Sequence, residues 1–205
     1  VTWSTTVLGR GNRLNGVAVL PQGLETLGCD ELVALGAHGV QPLRRAAAFQ
    51  ADMPCLYRLH LQARLPFRLL REMADFPCQG RNDLYDGIRN ALNWEQWLHP
   101  SMSFRVDVTG TAPGLNHSHY SALQVKNALV DLQREIWGER SSVDLDHPDL
   151  ALHLHLNRGG AVLSLDPQAH KNAAFAAHVI GTGLNRSHRG AAQDAHLAVH
   201  RYQII

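Results

Sequence analysis

The sequence predicts an α+β protein of two packed subdomains followed by a tail of different character, and three observations carry that expectation. Between Val17 and Phe76 the element order is strand, helix, two strands, helix, strand. From Ser118 to Trp137 apolar residues recur three and four apart, the mark of one long amphipathic helix. Around Arg158-Gly159-Gly160 a tight turn joins two leucine-rich alternating segments into a hairpin.

The first subdomain reads in order from Val17. Val17 to Leu20 is a short apolar run stopped by Pro21, which suits a strand. Gly23 opens a helical stretch containing Leu24, Leu27, Glu31, Leu32 and Leu35, and Gly36 fits its C-terminal cap. Val40 to Gln50 reads as two strands meeting near Arg44 and Arg45. Asp52 is the expected N-cap of a helix holding Leu56, Leu59 and Ala63. Phe67 to Phe76 follows as a strand. This βαββαβ order is the ferredoxin-like arrangement. Residues 1–16 are polar and glycine-rich and are expected to form a leader of uncertain order.

Pro77 and Gly80 mark a boundary, which sets the subdomains at residues 17–79 and 80–166. Leu84, Ile88 and Leu92 fall at helical spacing with Asn82 as the expected cap. Trp94, Trp97 and Leu98 continue as a short turn ended by Pro100. Ser103 to Thr109 alternates, with Phe104, Val106 and Val108 on one face and Arg105, Asp107 and Thr109 on the other. Ala122, Val125, Leu129, Leu132 and Ile136 form the stripe of the long helix, which Gly138 ends. Leu150 to Leu156 alternates leucine with Ala151, His153 and His155. The return strand carries Ala161, Leu163 and Leu165. Residues 167–205 change character, rich in alanine, histidine and asparagine, and are expected to be a tail of uncertain order.

Composition bounds the chemistry. Apolar residues make up 45% of the 205, enough for a packed core, and the formal net charge is +1. Of 19 basic residues only Lys126 and Lys171 are lysine. A phosphate partner or simply a GC-rich genome accounts for that arginine bias. Cys29, Cys55 and Cys78 are far apart and odd in number, so they read as thiols of a reducing cytoplasm rather than a disulfide framework. No run approaches the ~18 apolar residues of a membrane span, and no signal-peptide pattern is visible. A membrane partner is therefore not expected, and the expected location is cytoplasmic.

The first candidate surface is the polar entry to the long helix: Asn116, His117, Ser118, His119 and Tyr120, then Gln124, Lys126 and Asn127. A helix start offers unpaired backbone N–H groups and a partial positive field, both suited to phosphate. Tyr120 suits stacking on an unpaired base. The alternative is a solvated helix face capped by Ser118. The pairs His117/His119 and His153/His155 lack a neighbouring cysteine, so no metal site is assigned; ordinary strand residues or a polar surface beside Arg105 are the other readings. Arg44, Arg45, Arg64, Arg68, Arg71 and Arg81 form a basic set that either lines one stripe or spreads over two faces. No GxSxG, GxxxxGK[ST] or HExxH motif occurs. Gly181-Thr182-Gly183 lacks the rest of a dinucleotide fingerprint. Asp144, Asp146 and Asp149 read as loop-capping groups. No catalytic residue, metal ligand or cofactor-binding residue is therefore assigned.

Several stretches carry a family resemblance. Pro21-Gln22-Gly23-Leu24-Glu25, Glu31-Leu32, Leu35-Gly36, Leu84-Tyr85, Ala91-Leu92-Asn93-Trp94 and Ser103-Phe104-Arg105-Val106 are part of it. The most specific run is His117-Ser118-His119-Tyr120-Ser121-Ala122-Leu123-Gln124-Val125-Lys126-Asn127-Ala128-Leu129-Val130-Asp131, followed by Asp144, Pro148-Asp149 and the hairpin from Leu150 to Asp166. In these residues the chain resembles the N-terminal part of the THUMP-containing RNA methyltransferases, the group that includes the large-subunit ribosomal RNA guanine-N2 methyltransferases. The resemblance implies a ferredoxin-like domain, then a THUMP domain, that present structured RNA, ribosomal in that group, to a methyltransferase domain using S-adenosylmethionine. It places the RNA-facing role on Ser118, Tyr120, Lys126 and Arg105. After Asp166 the family's continuation, its catalytic glycine loop and its Asn/Asp-Pro-Pro-Tyr motif are not matched. The expectation is thus an RNA-binding module of a truncated or frame-shifted product, with no cofactor in this chain. Its rivals are a methyltransferase working with a separate catalytic chain, and a remnant or protein-interaction adaptor.

Overall fold

The computed structural model describes residues 13–169. The expectations for most of the leader, for the tail from His170 and for Gly181-Thr182-Gly183 lie outside those residues. The described chain divides into two compact units between Arg71 and Glu72.

The first unit runs β1 (Leu14–Val19), α1 (Glu25–Ala34), β2 (His38–Leu43), β3 (Ala46–Ala51), α2 (Met53–Gln62) and the start of β4 (Arg68–Cys78). Its sheet order is β2-β3-β1-β4, with β1 antiparallel to both β3 and β4, and β2 antiparallel to β3. This is the ferredoxin-like order expected from the sequence. One correction concerns its start: Leu14, Asn15 and Gly16, assigned to the leader, already belong to β1. Ala18, Leu20, Leu32, Phe49, Leu56, Leu59 and Leu69 fill the core.

The residues of the opening motif act as fasteners. The Glu25 carboxylate accepts from the Gly23 N–H at 2.8 Å and from the Arg45 N–H at 3.1 Å, tying the start of α1 to the β2–β3 turn. Backbone N–H donation, its own and that of Arg45, holds the Glu25 carboxyl below its ordinary range. Glu31 accepts from the N–H groups of Arg64 and Leu65 at 2.9 and 3.0 Å, pinning the α2–β4 connection. Past Leu35, Gly36 takes a φ of +95°, and the N–H groups of Gly36 and Ala37 reach the carbonyls of Val33 and Leu32. That paired closure needs a left-handed residue, which glycine supplies at least cost. Asp52 caps α2 as expected, accepting from the Cys55 N–H at 2.9 Å.

The second unit contains α3 (Arg81–Ala91), α4 (Trp94–Trp97), β5 (Ser103–Gly110), α5 (Ser118–Trp137), β6 (Ser142–Val143), β7 (Leu150–Asn157) and β8 (Gly159–Leu165), then a 3₁₀ turn at Pro167–Ala169. Within its sheet β8, β7, β5 and β6 follow in that order. β5 is parallel to β7 and β6, and β7 is antiparallel to β8. A parallel β5–β7 pair needs a crossover, and α5 is that crossover. Leu150, Ala151, Leu152, His153 and Leu154 are all buried, so β7 is covered on both faces. Gly110 ends β5 with a φ of +76°, and a Cβ there would lie 1.9 Å from the Leu156 carbonyl oxygen. Only glycine admits that approach.

The two-residue strand β6 was not expected from the sequence. Two expected caps also differ. α3 begins at Arg81 behind Gly80 rather than at Asn82, and Asp83 accepts from the Gln79 N–H at 2.8 Å. α5 is preceded by His117, so Ser118 is its first helical residue and no side chain caps it.

Candidate nucleic-acid interface

The start of α5 is mounted on a rigid turn. The Leu115 N–H donates to the Ala112 carbonyl at 2.9 Å, with Pro113 and Gly114 between them and Gly114 at a φ of +71°. Proline then left-handed glycine is the signature of a type II turn. Ala112 and Leu115 are both buried and anchor it. The chain then emerges: Asn116, His117, Ser118, His119 and Tyr120 are exposed. The first intrahelical bond runs from the Ser121 N–H to the His117 carbonyl at 3.0 Å. The N–H groups of Ser118, His119 and Tyr120 therefore lack intrahelical acceptors, and they carry the positive end of the helix dipole.

The eight residues singled out from the sequence do not all join this surface. Asn116, Ser118, His119 and Tyr120 are gathered there, and Lys126 and Asn127 are half-buried some two turns further along. None of these six side chains has a hydrogen-bond or ion-pair partner among the described residues. Gln124 is only 5% exposed, so it packs inside rather than facing a ligand. It shares its helix line with Ser121 and Ala128, both fully buried, and these small residues bring that line down onto the sheet. Arg105 is committed elsewhere: it donates to the Leu145 carbonyl at 2.9 Å and pairs with Asp107 at 3.3 Å. Its charge is matched within the fold.

The far half of α5 is bound down. Tyr85 on α3 donates to Asp131 at 2.9 Å, Arg89 pairs with Glu135, and the Arg89 guanidinium lies 5.6 Å over the Tyr85 ring. Burial, then the Asp131 bond, push the Tyr85 hydroxyl up. Gln133 is buried: it donates to the Leu98 carbonyl at 2.9 Å and the Ser141 hydroxyl at 2.8 Å, and accepts from the Ser141 N–H at 2.8 Å.

Burial pushes the thiols of Cys29, Cys55 and Cys78 up, which leaves them poor nucleophiles. His153 is buried and His155 exposed, and the Thr109 hydroxyl lies 3.3 Å from His153 Nε2 and 3.0 Å from His155 Nδ1. Asp144 and Asp149 do cap their loop: Asp144 accepts from the N–H groups of Asp146 and His147, and Asp149 from the N–H and hydroxyl of Ser103. The arginine set is broken. Arg71 is buried near Tyr57, where burial lowers its pKa, and Arg81 belongs to the second unit.

The sequence reading missed an open cleft of about 600 Å³ beside the β5–α5 turn, lined by Gln79, Thr111, Ala112, Pro113, Asn116, Arg158 and Gly159. Arg158 was legible only as part of a turn. Nothing in its local pattern indicates that β7 and β8 carry that turn to the head of α5.

The family model for the THUMP domain matches residues 81–166, and that for the RlmL ferredoxin-like domain matches residues 16–70. A Synechocystis protein named as an RNA methyltransferase is 42% identical over 149 residues, covering 73% of this chain and 38% of its own length. The ribosomal RNA large subunit methyltransferase K/L of Ectopseudomonas mendocina is 40% identical over 159 residues, covering 78% of this chain and 22% of its own length. The chain thus spans well under half the length of these relatives. Among solved structures, TrmN from Thermus thermophilus aligns with a TM-score of 0.55 at 22% identity, over 81% of this chain and 53% of that one. A possible methylase from Clostridium difficile aligns with a TM-score of 0.64 at 15% identity, over 75% of this chain and 41% of that one. At those identities the likeness concerns the fold alone. Among the described residues no helix is long and apolar enough to cross a membrane.

Proposed function

Across residues 16–166 this chain belongs to the THUMP-containing RNA methyltransferases as their ferredoxin-like and THUMP region, and we propose that it is the part that captures RNA, binding structured ribosomal RNA through the start of α5. One observation carries the reading: Asn116, Ser118, His119 and Tyr120 stand exposed on a rigid turn beside three backbone N–H groups that have no intrahelical acceptor. Such an array suits phosphate oxygens, and the exposed ring of Tyr120 suits an unpaired base. Lys126 adds a cation further along the same helix. Asn127 lies one turn before Asp131, where its amide can take a sugar hydroxyl or phosphate.

Methyl transfer is proposed to lie outside residues 16–166, because the relatives are named as methyltransferases and this chain covers only part of their length. S-adenosylmethionine, the cofactor expected of that family, would be held there. The rival reading gives this chain a direct part in the methyl-transfer site alongside a separate catalytic chain. Calorimetric titration of the chain with S-adenosylmethionine separates the two: no heat of binding is expected, and saturable binding contradicts the assignment.

Filter-binding titration against a ribosomal RNA fragment tests the capture role. Affinity should fall linearly on a log–log scale between roughly 50 and 200 mM salt, and Lys126→Ala should weaken binding severalfold and flatten that slope by about one phosphate contact. An unchanged affinity and slope in the variant removes Lys126 from the interface. No RNA binding at low salt removes the function.

A further inference from the structure

We propose that the cleft beside the β5–α5 turn seats one unpaired nucleotide splayed out of the bound RNA, with Arg158 holding its phosphate and Gln79 and Asn116 reading its base. This deepens the RNA-capture reading and rests on it.

The chemistry of the lining points to a nucleotide. Among the residues that line the cleft there is one cation, Arg158, and no carboxylate; the nearby Asp83 carboxylate is taken up by the Gln79 N–H. Arg158 has no ion-pair or hydrogen-bond partner among the described residues. A guanidinium fork matches phosphate geometry. Gln79 and Asn116 each carry a donor and an acceptor on one amide, the combination needed to read a base edge. Thr111 adds a hydroxyl. The volume of about 600 Å³ falls within the ~300–1,000 Å³ typical of sites for small ligands. A paired duplex presents its phosphates along a surface and does not enter such a concavity, whereas a flipped-out base does.

The cleft is also held in shape before any ligand arrives. The Gln79 backbone is fixed by its bond to Asp83 at 2.8 Å. Asn116 follows directly on the buried Leu115 anchor. Arg158 rides the β7–β8 turn, where Gly159 takes a φ of +95°. A Cβ on Gly159, which lines the cleft, would have nothing within 4 Å, so the backbone there stands open to a close approach by the RNA. A preformed site lowers the ordering cost of binding. The surface proposed above for RNA adjoins this cleft, since Asn116 belongs to both.

The test uses the full chain and two labelled RNA hairpins identical except for one unpaired bulged nucleotide, made in four versions with A, C, G or U at the bulge. At least one bulged hairpin should bind about tenfold tighter than the fully paired one, and Arg158→Ala should erase that difference while leaving affinity for the paired hairpin within about twofold. Arg158→Lys, which keeps the charge and loses the fork, should recover only part of it. Asn116→Ala combined with Gln79→Ala should flatten the preference among the four bases. Unfolding curves matching the parent's keep each variant interpretable. Equal binding of bulged and paired hairpins overturns the cleft assignment and leaves RNA capture standing. Saturable binding of free nucleoside monophosphates without a bulge preference assigns the cleft to a small-molecule nucleotide and also overturns it. Failure to bind any hairpin sinks RNA capture itself.

Discussion

The two ends of α5 are built to opposite rules. Its last three turns are fastened to α3 and to the segments just after α4 and just before β6 by Tyr85–Asp131, Arg89–Glu135 and the Gln133–Ser141–Leu98 network. Its first turn has no side-chain cap, exposed polar residues and uncommitted backbone donors, yet it sits on a turn anchored by Ala112 and Leu115, just past the Gly110 that closes β5. Rigidity is supplied from behind and from below, while the leading edge keeps its hydrogen-bonding capacity. A helix start that needed only stability would be capped, since a cap typically contributes about 1 kcal/mol.

This contrast can be broken at either end. The largest effect should follow Gly110→Ala, which drives a methyl group against the Leu156 carbonyl in a left-handed backbone. Urea unfolding should record a loss of about 3 kcal/mol or more, and RNA affinity should fall with it because the mount of α5 shifts. A loss below about 1 kcal/mol contradicts the mounting role. Next comes Gln133→Leu, which strands the buried Ser141 N–H and Leu98 carbonyl. It should cost about 2 kcal/mol of stability and leave the RNA dissociation constant within twofold. A large loss of affinity at unchanged stability would show that the far half of the helix is not merely a fastener. Tyr120→Ala should do the reverse: stability within about 0.5 kcal/mol, and RNA binding weaker by about tenfold through lost stacking. Unaltered affinity removes Tyr120 from the interface and leaves only phosphate contacts there.

Much of the fold is readable from the sequence because its signals are local. The bounds of α5 at Ser118 and Trp137, the Asp52 cap, and the glycine closures at Gly36 and Gly138 all rest on residues within one turn of the event they mark. What escapes is set at a distance. The apolar stripe read from Ala122 to Ile136 differs from the buried face, which takes in Ser121, Gln124 and Gln133 and leaves Ile136 41% exposed. Gln133 is inside because Ser141 and Leu98 satisfy it, and no periodicity reveals that. Arg71 and Arg105 look like phosphate ligands until Tyr57 and the Leu145 carbonyl appear beside them. Arg158 gains significance only when β7 and β8 deliver it to the β5–α5 turn. The exposed start of α5 was legible; which of the candidate residues join it was not, because burial and partnership are set by tertiary packing, as when Arg105 donates to the Leu145 carbonyl 40 positions away.

Ultraviolet crosslinking of the full chain to ribosomal RNA fragments, with the crosslinked peptides mapped by mass spectrometry, tests the account most directly. Crosslinks concentrated between Thr111 and Asn127, with Tyr120 the leading site, are the expected result. Crosslinks confined to α3 and the last turns of α5, with the segment from Asn116 to Tyr120 silent, would contradict it.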